Sequence, residues 1–147
     1  MTRFENQFPD LAAKLKQASV EKQRAVCLAA CEYAVARAKI EDPLVMEALG
    51  KLRAREVITI KHKRELETLV EKLDSEYFEL AGAFDEGRSS LDDYLKPFSK
   101  ARAVASVLYA FHNNAYNAAS EAIYETEAVT DEDALDMLIP MIEAILK

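Results

Sequence analysis

Three glycines and four prolines are too few to fold a 147-residue chain back and forth as a sheet protein does. Tight reversals draw on residues that accept left-handed backbone or fix φ, and an all-β chain needs one about every 8–12 residues. A chain so poor in them must cross its core in long regular segments, and helices do that with few turns. Half of the residues are hydrophobic, 31% are charged and the net charge is -7. Disordered chains are poorer in apolar residues, so this one can pack a core. Its length fits the common single-domain size of about 100–200 residues, at which about two thirds of the unfolded surface is buried. The expectation is an all-α fold: residues 1–147 as one domain, a bundle of about seven helices.

Start and stop signals divide the chain. Leu11, Leu15 and Ala18 follow Pro9-Asp10 at helical spacing, and Ser19 then reads as an N-cap for a helix running to about Ile40. The middle of that helix, Ala25-Val26-Cys27-Leu28-Ala29-Ala30-Cys31, is apolar on nearly every face, which suits a central helix. Asp42-Pro43 starts another helix, with Leu44, Met46, Leu49 and Leu52 as its expected buried stripe. Val57-Ile58-Thr59-Ile60 is strand-like in composition but has no partner strand, so it is read as a connector or a helix start. Leu66, Leu69, Val70, Leu73, Tyr77, Leu80 and Phe84 mark the clearest amphipathic helix, with Gly87 as its stop. Ser90 and Asp93 suggest a capping box for a short helix that Pro97 divides from the next. Ala101 to about His112 is the second Ala-rich helix, Asn113-Asn114 a break, and Ala115 to about Glu127 a further helix. Thr130 with Asp133 reads as another capping box, before a last helix in which Pro140 predicts a kink or a shift in hydrogen bonding. The triplets Arg24-Ala25-Val26 and Arg102-Ala103-Val104 match, but three residues in Ala-rich sequence do not make a repeat.

Cys27 and Cys31 are one helical turn apart and read as small buried apolar residues rather than as a disulfide or a Cys-x-x-Cys pair, which favours a reducing compartment. The N-terminus lacks a signal-peptide core, and the apolar stretch Ala103 to Phe111 is far short of the ~20 residues that span a bilayer. A cytoplasmic protein with no membrane partner is expected.

The sequence carries none of the common catalytic or nucleotide-binding motifs. No Gly-x-Gly-x-x-Gly, phosphate loop or Gly-x-Ser-x-Gly elbow is present. His62, in Lys61-His62-Lys63-Arg64, reads as an exposed residue whose cationic neighbours disfavour a metal. His112 reads as a helix C-terminal cap. Neither has a Glu three residues before it, so the di-metal Glu-x-x-His pairing of bundles is absent. The reading is a non-enzyme with no cofactor and no metal site.

Charge supplies the functional signal. Residues 51–64 carry Lys51, Arg53, Arg55, Lys61, Lys63 and Arg64 against Glu56, while 101–147 carry Arg102 and Lys147 against eight acids. The overall charge and the lack of interleaved aromatics in the basic run argue against nucleic acid and for a solvated helix face. Asp131, Glu132 and Asp133 suit a helix start, where acids meet the positive end of the dipole, and Asp136 follows them. Glu121, Glu125 and Glu127 lie near a helix end, where that explanation fails. Together with Tyr124 as an aromatic anchor, these seven acids are the candidate surface for a basic protein partner.

Glu76-Tyr77-Phe78, the stretch Tyr94-Leu95-Lys96-Pro97-Phe98-Ser99-Lys100-Ala101-Arg102-Ala103, and Glu121-Ala122-Ile123-Tyr124-Glu125 resemble segments of the small, acidic, all-helical immunity proteins of bacterial toxin systems. The resemblance covers about the second half of the chain. It implies a binding protein that occludes a cognate toxin, often a basic nuclease, with no chemistry of its own. The alternatives are a structural or regulatory helical module that homodimerises through the 61–84 helix, and a carrier with a small apolar pocket between the Ala-rich helices.

Overall fold

The computed structural model describes the backbone of residues 3–87, 90–129 and 132–147, with the side chains of these apart from 91–94 and 132–135. Eight helices and no strand occur among the described residues: α1 (Arg3–Gln7), α2 (Pro9–Gln17), α3 (Val20–Arg37), α4 (Pro43–Arg53), α5 (Ile60–Asp85), α6 (Leu91–Tyr109), α7 (Ala115–Val129) and α8 (Glu132–Leu146). The all-α bundle expected from the sequence is the observed fold, with α1 as an added turn of helix.

Local signals set most boundaries. The Ser19 hydroxyl accepts from the Lys22 amide at 3.2 Å, and the Asp42 carboxylate accepts from the Leu44 amide at 2.9 Å with Pro43 in the first turn. Thr59, which the sequence reading passed over, does the same for the His62 amide at 3.0 Å. Each satisfies one of the amides that a helix start leaves without a partner. Gly87 follows the end of α5 with φ 79, a conformation that glycine adopts without a Cβ clash. Lys39 and Arg55 take the same left-handed role after α3 and α4 with φ 57 and 59.

Two boundaries differ from the expectation. Pro97 lies inside a continuous α6 rather than between two helices, because losing one backbone hydrogen bond near the helix start costs less than exposing the surrounding face. In α4 Val45, Ala48 and Leu49 are buried and Leu44 and Leu52 pack partly buried against the core, while Met46, expected on this stripe, is 42% exposed. The capping box expected at Thr130 and Asp133 lies outside the described residues, as does the Asp93 side chain.

The core is centred on α3, α6 and α7. Ala101 and then Ala103 through Val107 are buried in succession along α6, which therefore has neighbours on nearly every side. Ala30, Ala34, Ala118, Ala119 and Ala122 line the facing helices, and small side chains let the axes approach closely. The Thr126 hydroxyl of α7 lies 3.2 Å from the Ala30 carbonyl of α3, and the Cys31 thiol donates to the Ser106 carbonyl of α6 at 3.3 Å. Both cysteines are buried and free, as expected. α5 runs antiparallel to α6, with Tyr77 and Phe98 rings 5.1 Å apart and Asp74 beside Arg102. α8 lays Leu138 and Ile142 into the core, and the Lys147 carbonyl after it accepts from the Lys22 ammonium. No described helix is long and apolar enough to cross a membrane.

Candidate functional site

The candidate acids do not share one surface. Glu125 is 5% exposed and faces inward, because its position on α7 opposes α6. Its carboxylate accepts from Arg102 at 3.0 Å, and the same guanidinium reaches both Asp74 oxygens of α5 at 3.2 and 3.3 Å. Burial raises the Glu125 pKa; the charge and hydrogen bond of Arg102 pull it back, and the charges of Glu121 and Asp74 push it up again. Glu125 therefore joins three helices and is removed from the candidate contact surface. The sequence reading placed it outside because the helix face is set by a partner 23 residues away.

Tyr124 and Glu127 are half-buried and already engaged by α1. Arg3 donates to the Tyr124 hydroxyl at 2.8 Å, and the Gln7 amide donates to Glu127. Glu121 and Asp136 are exposed. Asp131 lies outside the described residues, and Glu132 and Asp133 are placed in α8 without described side chains.

Both histidines differ from their expected roles. His62 is buried, and its Nε2 lies 2.9 Å from the Leu44 carbonyl, so that nitrogen must carry the proton and α5 is tied to the start of α4. His112 is exposed and its Nδ1 accepts from the Asn114 amide. The capping role expected of it belongs to Arg24, whose guanidinium donates to the carbonyls of Ala110, His112 and Asn113 at 3.2, 3.0 and 3.0 Å. Among the described residues, no group of three His, Cys, Asp or Glu is placed to hold a metal ion.

A stronger acidic face lies on α5, where the sequence reading saw only a charged solvent side. Residues 65–86 carry Glu65, Glu67, Glu71, Asp74, Glu76, Glu79, Asp85 and Glu86 against Lys72 alone. Phe78 projects from this helix at 70% exposure. Glu71 and Asp85, seven residues before and after it, fall on its stripe about 10 Å away along the axis. Ser75 and Gly82 flank the ring on the same side, a Cβ at Gly82 would meet nothing within 4 Å, and the ring leans on Tyr77 with centroids 5.3 Å apart. Glu71, Glu79 and Asp85 are exposed and make no ion pair among the described residues. Both signals are present in the sequence: the acid count over 65–86, and Phe78, which falls off the stripe from Leu66 to Phe84 and is exposed. Comparison with protein-family models, curated proteins and solved structures returns no match.

Proposed function

We propose that this chain is a non-catalytic binding protein that occludes a basic surface of a partner protein, using the acidic stripe of α5 centred on Phe78. The observation that carries this reading is a 70% exposed aromatic ring set among exposed carboxylates on a regular helix. Exposing an aromatic ring to water is unfavourable, and a buried aromatic anchor with a polar rim is the arrangement that dominates binding energy in protein interfaces. Carboxylates around the anchor steer a cationic partner and reject acidic ones. Glu121 of α7 and Asp136 of α8 are also exposed, apart from this stripe. The resemblance to immunity proteins makes a basic toxin the kind of partner that fits, blocked by coverage of its substrate-binding cations.

Capture from the native host at low salt tests the proposal, followed by affinity measurement with the purified partner. Phe78→Ala and Glu71→Lys/Asp85→Lys are each expected to weaken binding of a basic protein at least tenfold, while Glu121→Lys/Asp136→Lys has a smaller effect. Unchanged affinity in the α5 variants, or capture of no basic protein, overturns the assignment.

A further inference from the structure

Where the end of α3 meets the first half of α6, a cavity of about 400 Å³ opens to the surface. Every charged residue that bounds it among the described residues is a cation: Arg37 and Lys39 from α3 and the turn after it, Lys96 and Lys100 from α6. Ala38, Leu95 and Ser99 complete the wall. A wholly cationic cavity is the exception in a chain of net charge -7. Its volume lies in the ~300–1,000 Å³ range of ligand sites.

The fold accounts for only two of these charges. Arg37 and Lys39 lie at the end of α3, where the negative end of the helix dipole favours cations. Lys96 and Lys100 lie in the first half of α6, where it does not. They are four residues apart on one helical face, where like charges repel. Both are exposed, so the core does not hold them there. Phe98 between them turns toward α5, its ring 5.1 Å from that of Tyr77. Two residues either side of it, the lysines point about 160° away from that contact. Lys39, Lys96 and Lys100 make no ion pair among the described residues. Arg37 is engaged by other contacts as well.

Charge and size select the occupant. Three unpaired ammonium groups match a diphosphate, in which each phosphate carries up to about two negative charges. The Arg37 guanidinium adds a fork that fits phosphate oxygens. A single carboxylate leaves most of this charge unbalanced. A long polyanion must also pass the eight carboxylates of residues 65–86, whereas a small one is confined to the cavity. Ala38 and Leu95, the latter 39% exposed, offer apolar surface to the body that carries the phosphates. We infer that the cavity between the end of α3 and the first half of α6 binds the diphosphate group of a small soluble molecule, held by Lys39, Lys96, Lys100 and Arg37.

The lysines face away from α5, so this site and the acidic stripe of α5 can fail independently. Calorimetric titration of pyrophosphate into the full chain at about 150 mM salt tests it. The expected result is one site with a Kd of about 1 mM or tighter, and orthophosphate and citrate at least tenfold weaker. Backbone amide shifts perturbed by pyrophosphate should cluster at residues 37–39 and 95–100. Lys96→Ala/Lys100→Ala should weaken binding at least tenfold at an unchanged melting temperature. Lys63→Ala/Lys72→Ala, which removes the same charge from α5, should leave the affinity unchanged. No binding at about 10 mM pyrophosphate, citrate bound as tightly, shifts clustered elsewhere, or equal affinity in the two variants overturns the assignment. A single-stranded decanucleotide bound more tightly than pyrophosphate also overturns it, by giving the cations to nucleic acid.

Discussion

Glu125 is held between Arg102, at 3.0 Å, and the apolar interior of the bundle, with 5% of its surface exposed. Burial dominates and raises its pKa from the ordinary 4.5. The folded chain therefore keeps this proton to higher pH than the unfolded chain does, so the contribution of Glu125 to stability is largest below 4.5 and declines as pH rises through the raised value. Denaturation of wild type and Glu125→Gln between pH 4 and 8 should show wild type losing stability relative to the variant as pH rises. A difference that grows in favour of wild type would mean that Arg102 outweighs burial. Arg102→Ala should cost about 3 kcal/mol, because it leaves Glu125 buried beside Asp74 without a counter-ion; a loss under 1 kcal/mol in urea unfolding would refute that account. None of this network was legible in the sequence. The spacing of Glu121 and Glu125 places them on one face of α7, but only the packing of α6 decides that Glu125 points inward. The two matching Arg-Ala-Val triplets hid the point: Arg24 caps the end of α6, whereas Arg102 ties α5 to α7.

At the scale of elements, what the chain writes locally is what the sequence reveals. The caps at Ser19, Asp42 and Gly87 depend on neighbours within three residues and were read correctly, whereas the Arg24 cap joins residues more than 80 apart and was not. Pro97 looks like a boundary in the sequence because its missing amide is visible there, and its burial within α6 is not. The helices also carry correctable weakness. Gly82 lies inside α5, exposed, with open space where a Cβ would stand. Gly82→Ala should stabilise the chain by about 0.5–1 kcal/mol in urea unfolding by reducing the freedom of the unfolded backbone. Ala122 gives the opposite case, being wholly buried on α7, which packs against both α3 and α6. Ala122→Leu forces extra methylenes between closely packed helices and should cost at least about 2 kcal/mol, with the melting temperature as readout.

Across the whole molecule, charge is sorted along α5. Its start is basic, with Lys61, Lys63 and Arg64, and residues 65–86 are acidic, with eight carboxylates against one lysine. The sequence reading found the C-terminal acids and passed over these because they alternate with the apolar residues of an obvious amphipathic helix and look like an ordinary solvent face. The apolar anchor shows that this face differs from a solvated one. An exposed Phe contributes little to the fold, so Phe78→Ala should change stability by no more than about 0.5 kcal/mol while weakening partner binding. The carboxylates should act mainly on encounter. With a purified basic partner, raising salt from 50 to 500 mM is expected to slow association at least tenfold and to change dissociation much less, because rim charges steer approach and are screened over a Debye length that shrinks to a few ångströms. Glu71→Lys/Asp85→Lys should flatten that salt dependence, and Phe78→Ala should leave it intact while speeding dissociation. If both variants instead alter only dissociation, the carboxylates are buried contacts rather than a steering field, and the ring and its acids form one desolvated patch.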